Sequence, residues 1–154
     1  MSTPADVHAR LGAIAATVAV AESLTGGLLC AALTETAGAS ATVRGGLVVY
    51  ATDLKSALAG VSEALLAQRG AVDPEVALAL ARGARTRLGA TFGVGVTGVA
   101  GPDMQDGKPV GTVFAAVAGP RGEVVREHRL SGERGAIRAE AVQVCLDLLL
   151  TELN

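Results

Sequence analysis

The sequence predicts a three-layer α/β/α domain built on a mixed sheet of about five strands. Three observations predict it. Short apolar strand-like runs alternate with helical stretches along the chain; the last two runs flank a tight Gly119-Pro120-Arg121-Gly122 turn; and no linker, repeat or low-complexity tract divides the 154 residues. Alternating strands and helices cover a sheet on both faces, and a terminal hairpin adds antiparallel pairing to a parallel core. A chain of this length is the size of one ordinary domain, so residues 1–154 are read as one unit with a continuous core.

The elements follow in order. Val7, Leu11 and Ile14 recur at helical spacing over 5–16, and Thr17-Val-Ala-Val-Ala21 reads as a buried strand. Glu22-Ser-Leu-Thr-Gly-Gly27 turns that strand into a helix over 28–36, and 37–40 is a loop. Residues 45–50 form the next strand, with a short helix over 53–59. Ser62 is placed to cap a second short helix that ends at Gly70. Asp73-Pro74-Glu75 is a strong helix start, with a cap, a proline at the first position and an acid in the first turn. That helix runs to Leu88 and stops at Gly89. Strands at 90–97 and 111–118 enclose a Gly/Pro/Asp loop, 123–130 alternates as the hairpin partner, and 135–153 closes the chain as a long helix.

Composition removes several functions. The chain is 50% hydrophobic and 18% charged, which excludes extensive disorder. Its apolar runs are broken every few positions by Gly, Thr, Arg or Glu, so none approaches the roughly 20 residues of a bilayer span. The amino-terminal MSTPADVHARLG lacks a basic signal-peptide start, and the expected location is the cytoplasm. A formal net charge of -2, no Trp, one Tyr and two Phe give neither the basic face nor the stacking platform of a nucleic-acid binder. His8 and His128 sit among charged residues and read as surface, and nothing has metal-ligand spacing, which argues against a zinc hydrolase. Cys30 and Cys145 lie in apolar helical patterns and read as buried free thiols. Apolar richness leads us to expect a homo-oligomer.

Chemistry belongs at the strand-end loops 22–27, 50–55 and 97–111, because ligands of open α/β sheets bind beyond the carboxyl ends of strands. In the first loop, Ser23 or Thr25 with Gly26 and Gly27 suits a nucleophile beside backbone amides, or a phosphate cradle. Helix capping by the same hydroxyls, with Glu22 as a dipole-paired acid, is the competing reading. In the second, Tyr50 ends a strand and Lys55 starts a helix, where the helix dipole disfavours an ammonium and makes the amine a candidate base. A snorkelling surface lysine is the alternative. In the third, Gly93-Val-Gly-Val-Thr97-Gly98-Val-Ala-Gly101-Pro102 combines a hydroxyl with glycines that admit close backbone approach, which reads as a binding wall or as a turn needing positive φ.

Together AESLTGG, GGLVVYATDLK, GVTGVAGP and the later GTV resemble the CinA carboxy-terminal domain family in order and spacing, over about residues 5 to 150. The resemblance implies a stand-alone nicotinamide mononucleotide deamidase, without the amino-terminal molybdopterin-binding-like domain of full-length CinA. It implies a mixed five-stranded α/β/α fold and hydrolysis of the substrate's amide to nicotinate mononucleotide and ammonia, with no metal or cofactor. Carried onto this chain, the catalytic group is Ser23 as nucleophile with Tyr50 and Lys55 as its activating pair, Thr25 being the alternative hydroxyl. Glu22, Thr25, Gly26, Gly27, Thr97, Gly98 and Gly101 form the substrate site, and Arg134 or Arg138 meets the phosphate. Where many members carry Ser-Asn or Ser-Asp after the tyrosine, this chain has Ala51-Thr52, which puts substrate orientation in question. Two other readings compete: an interaction module linked to competence and damage induction with a vestigial cleft, and a nucleotide sensor that binds without hydrolysis.

Overall fold

The computed structural model describes residues 1–154. In chain order the elements are α1 (Pro4–Ala13), β1 (Val18–Glu22), α2 (Leu28–Thr34), a 3-10 turn (Ala39–Ala41), β2 (Val43–Val48), α3 (Thr52–Ala59), α4 (Glu63–Arg69), α5 (Pro74–Arg87), β3 (Phe92–Gly98), β4 (Thr112–Gly119), β5 (Gly122–Arg129) and α6 (Arg134–Leu153). The strands form one sheet in the order β2-β1-β3-β4-β5. β1 pairs in parallel with β2 and β3, whereas β3–β4 and β4–β5 are antiparallel. The mixed sheet of five strands with helices on both faces is the predicted architecture. Boundaries differ by up to three residues, the largest shift being the end of α1, at Ala13 rather than residue 16; β2 starts at Val43 rather than residue 45 and ends before Tyr50.

Helix starts follow the expected caps. The Ser62 hydroxyl accepts from Leu65 N, and the Asp73 carboxylate accepts from Glu75 N just before Pro74. Thr3 and Asp6 form a reciprocal capping box at α1, which holds the Asp6 carboxyl below its usual range through hydrogen bonds from Thr3.

Period-two alternation divides the interior. Val18 and Val20 of β1, with Val94, Val96, Val113, Ala115 and Val117, pack against α1, α2 and α6. Ala19 and Ala21 face the other way, toward Val76, Leu80 and Ala84 of α5. On this second side small residues bring α5 onto the sheet itself: a Cβ at Gly93 would lie 2.0 Å from the Ala81 carbonyl oxygen, and one at Gly95 would lie 2.3 Å from that of Ala77. The first face is stabilised by side-chain volume, at roughly 1.5–3 kcal/mol per fully buried Val or Leu, and the second by close backbone approach.

Two surface expectations are corrected. His8 is half-buried, its ring nitrogens 2.6 Å from Thr42 Oγ1 and 2.6 Å from the Leu33 carbonyl oxygen, so it ties α1 to α2 and to the turn before β2. His128 is also half-buried, with Nε2 enclosed and without a partner. Both sit on amphipathic elements whose charged neighbours point outward, which the local charge density concealed. Cys30 is half-buried rather than buried, and Cys145 is buried; both are free thiols. Burial, reinforced by Glu22, pushes both thiols up, so neither is a thiolate nucleophile near neutral pH. No helix is long and apolar enough to cross a membrane.

Candidate functional site

The chain runs from β1 outward to β2 and later returns to β3 on the other side of β1, so the sheet has a topological switch at the carboxyl ends of β1 and β3, where open α/β sheets leave a crevice. A cavity of about 270 Å³ lies there. Ser23 and Leu24 line it from the end of β1, Tyr50 from beyond β2, Gly98 to Gln105 from the end of β3 and the loop after it, and Arg134 from the start of α6. Five of the residues singled out in the sequence thus share one wall: Ser23, Tyr50, Gly98, Gly101 and Arg134.

The loop that carries Ser23 is held from three sides. Ser23 N donates to Val96 O at 3.1 Å, which continues the β1–β3 pairing, and Gly26 N closes a turn to Ser23 O at 3.0 Å. Positive φ at Gly26 (+58°) and Gly27 (+108°) lets the chain reverse into α2. The amides of Leu24, Thr25 and Gly27 donate to no acceptor in the chain, while that of Gly26 is committed to the turn. Arg138 does not line the cavity. Its guanidinium donates to Leu24 O at 2.9 Å and Thr25 O at 3.4 Å and braces this loop from α6.

Glu22, expected near the ligand, is instead wholly buried. Its two carboxylate oxygens accept from Leu29 N (2.8 Å) and Cys30 N (2.9 Å) and satisfy the first amides of α2. Thr97 is likewise buried away from the cavity, its hydroxyl donating to Ala71 O at 2.8 Å. Thr25 is fully buried, its Oγ1 lacks a partner, and it is absent from the cavity wall. Glu22 thus fits its competing reading, an acid paired with the start of the following helix, whereas the partner of Thr97 is a main-chain group of a distant corner that a local motif does not reveal.

Lys55 is 1% exposed and is not the snorkelling surface lysine of the alternative reading. Its Nζ donates to the carbonyl oxygens of Val49 (2.8 Å) and Tyr50 (3.1 Å), at the end of the strand that neighbours β1. Burial pushes this amine down from 10.5 to about 8, with the Asp106 carboxylate opposing part of the shift. Near neutral pH that raises the share of free amine roughly 300-fold over an ordinary lysine. Ser23 follows β1, and the Lys55 amine, carried on α3, is bonded just past the end of the adjacent parallel strand β2, where Val49 N donates to Glu22 O at 2.9 Å; Lys55 does not line the cavity, and no hydrogen bond joins the two side chains. The tyrosine contributes differently from expectation: its carbonyl holds Lys55, whereas its phenol, on a side chain 59% exposed, accepts from Arg134 at 3.2 Å. Arg134 also donates to Gly101 O at 2.5 Å.

Sequence reasoning missed two contributors. One is Asp106, whose charge acts on Lys55 from the loop after β3. The other is the 70–72 corner before α5, which receives Thr97 and Asp106 and carries no motif of its own. No three His, Cys, Asp or Glu residues are grouped so that they could hold a metal ion.

Comparison with known proteins agrees with this fold. The model of the CinA C-terminal domain matches residues 2–153. A CinA-like protein of Frankia casuarinae is 56% identical over 134 residues, which is 87% of this chain and 31% of that protein. A putative competence-damage inducible protein of Desulforamulus reducens is 48% identical, over 86% of this chain and 32% of its own length. The chain thus spans about a third of the length of the curated relatives it matches. Among solved structures, the competence/damage inducible protein CihA from Agrobacterium tumefaciens shares 38% identity at a TM-score of 0.88 and is covered over 98% of both chains. A competence damage-inducible protein A from Klebsiella pneumoniae aligns at a TM-score of 0.94 with 30% identity, over 97% of this chain and 94% of that one.

Proposed function

The chain belongs to the CinA C-terminal domain family, and from that premise we propose that it is an amidohydrolase converting nicotinamide mononucleotide to nicotinate mononucleotide and ammonia. The observation that supports this reading is Ser23 in the switch-point cavity, with the buried Lys55 amine, pushed down to about 8, bonded to the Val49 and Tyr50 carbonyls just past the neighbouring strand. In the reaction proposed, Ser23 Oγ attacks the carboxamide carbon and its proton passes to the neutral Lys55 amine. The oxyanion is met by main-chain amides of the 24–27 turn that have no acceptor in the chain. Collapse of the tetrahedral intermediate breaks the C–N bond, Lys55 returns the proton to the departing ammonia, and water then hydrolyses the acyl-serine to free carboxylate and hydroxyl. Arg134, fixed by Gly101 O and the Tyr50 phenol, is the group that meets the phosphate.

The test is ammonia release from nicotinamide mononucleotide, with Ser23→Ala and Lys55→Ala each expected to lose on the order of 10²–10³-fold in rate. Full activity in both variants would remove the assigned roles.

A second reading, a partner-binding module, is favoured by exposed apolar side chains around the β2 edge, namely Leu28, Val48, Tyr50, Leu54 and Leu58. A second copy of the chain is the partner we would expect on that patch. Stable association without turnover would select this reading over the enzyme.

A further inference from the structure

The loop after β3 contains a miniature hairpin. Gln105 and Lys108 pair through two main-chain bonds, Gln105 N to Lys108 O at 3.2 Å and Lys108 N to Gln105 O at 2.8 Å. Asp106 (φ +50°) and Gly107 (φ +74°) make its two-residue tip, in the left-handed conformation that tight hairpins require. Asp103, Met104 and Gln105 of this segment form the outer wall of the cavity. Two bonds do not hold a hairpin in water, so the wall needs an outside tie.

We propose that Asp106 is a positioning residue for the Ser23–Lys55 site, pinning the hairpin tip to the Gly70–Ala71 corner and thereby fixing both the cavity wall and the negative charge that Lys55 faces. The inference rests on the reading of Lys55 as the proton carrier. Asp106 Oδ2 accepts from Ala71 N at 3.0 Å, and its carboxylate lies so close over Gly70 that a Cβ there would come within 2.8 Å of Cγ. The opposite side of the same residue is also held, because Ala71 O accepts from Thr97 Oγ1 at 2.8 Å. Ala71 is thus clasped between the end of β3 and the hairpin that grows from it, and the wall is anchored at its root and its tip. A carboxylate bonded to a fixed amide keeps its charge in one place. Asp106 is the one charged side chain that acts on the Lys55 amine, whose other polar neighbours are the Val49 and Tyr50 carbonyls. Asp106 itself is not part of the cavity wall, so it acts through Lys55 and the hairpin.

Two variants of the whole chain separate these effects. Asp106→Asn keeps an acceptor for Ala71 N and removes the charge; Asp106→Ala removes both. With nicotinamide mononucleotide as substrate, the limb of kcat/KM that rises with pH should move to lower pH in Asp106→Asn, by roughly half a unit to one unit, because the ammonium loses its only opposing charge. KM should change little in that variant. In Asp106→Ala, KM should rise about tenfold, and amide hydrogen exchange over 70–72 should quicken by a similar factor as the clasp opens. An unmoved pH limb in Asp106→Asn, or wild-type KM and exchange in Asp106→Ala, overturns the proposal. If Asp106→Ala does not fold, the Asn variant's pH limb decides alone. Should the wild-type chain release no ammonia, the amidohydrolase reading fails, and exchange at 70–72 still judges the clasp.

Discussion

The segment Gly93-Val-Gly-Val-Thr-Gly-Val-Ala-Gly101 looks uniform, yet its two halves belong to different regions of the molecule. Gly93 and Gly95 lie mid-strand in β3, where absent side chains seat α5 directly on the sheet. Gly98, which ends β3, and Gly101 are buried as well but both line the cavity: a Cβ at Gly98 would meet Thr112 O at 2.6 Å, and Gly101 O receives Arg134. Gly101 also holds φ at +90°, a conformation that glycine adopts freely. The first pair seats a helix on the sheet, whereas the second carries the backbone into the cavity wall. Glycine density therefore marks close approach without saying whether helix or ligand approaches.

The largest effect should come from breaking that distinction on the scaffold side. A methyl at Gly95 would meet main-chain atoms, Ala77 O at 2.3 Å and Ala81 N at 2.6 Å, which cannot rotate away. Gly95→Ala should thus cost at least about 3 kcal/mol of unfolding free energy, the upper range for overpacking. Gly101→Ala meets only the Val110 side chain at 2.8 Å, plus the strain of its positive φ, and should cost about 1–2 kcal/mol while falling mainly on ammonia release. Urea titration of the two variants checks the order; equal midpoints would mean that α5 is not seated as described.

What the sequence made legible divides along the same line. Strand and helix identity, the Ser62 and Asp73 caps and the terminal hairpin were readable, because each depends on periodicity or a local cap. The convergence of Ser23, Tyr50, Gly98, Gly101 and Arg134 was also readable, through motif order and the rule that strand ends carry ligands. Glu22 meets the amides of the helix that follows it, the dipole-paired reading rather than the ligand one, while Thr97 was misplaced because its partner, Ala71 O, is chosen by tertiary packing rather than by neighbours in sequence. Asp106 was hidden for the same reason: its role depends on a corner 35 residues away.

The Lys55 site can be probed through the energetic penalty that its burial carries. Folding holds Lys55 at about 8 against 10.5 unfolded, so between those values the unfolded chain binds more protons and stability rises with pH. Below about 8 the penalty of burying the ammonium is present in full; above 10.5 it is gone. Lys55→Met removes this dependence. The stability of that variant relative to wild type should therefore be most favourable near neutral pH and decline by about 3 kcal/mol as the pH passes 10.5. Parallel stability curves for the two proteins would place the lysine in water, contrary to its burial.

The smallest effect concerns which hydroxyl attacks. Ser23 and Thr25 lie two residues apart in one turn, but only Ser23 lines the cavity, while Thr25 is enclosed with Oγ1 unpartnered. An unsatisfied buried hydroxyl contributes nothing to stability that a methyl of similar shape would not, so Thr25→Val should be neutral or stabilising by up to about 1 kcal/mol. Its ammonia release should stay within about threefold of wild type if chemistry needs only the cavity-lining hydroxyl. A loss comparable to that of Ser23→Ala, in a variant that remains folded, would move the nucleophile to position 25 and require the turn to open before substrate could reach it.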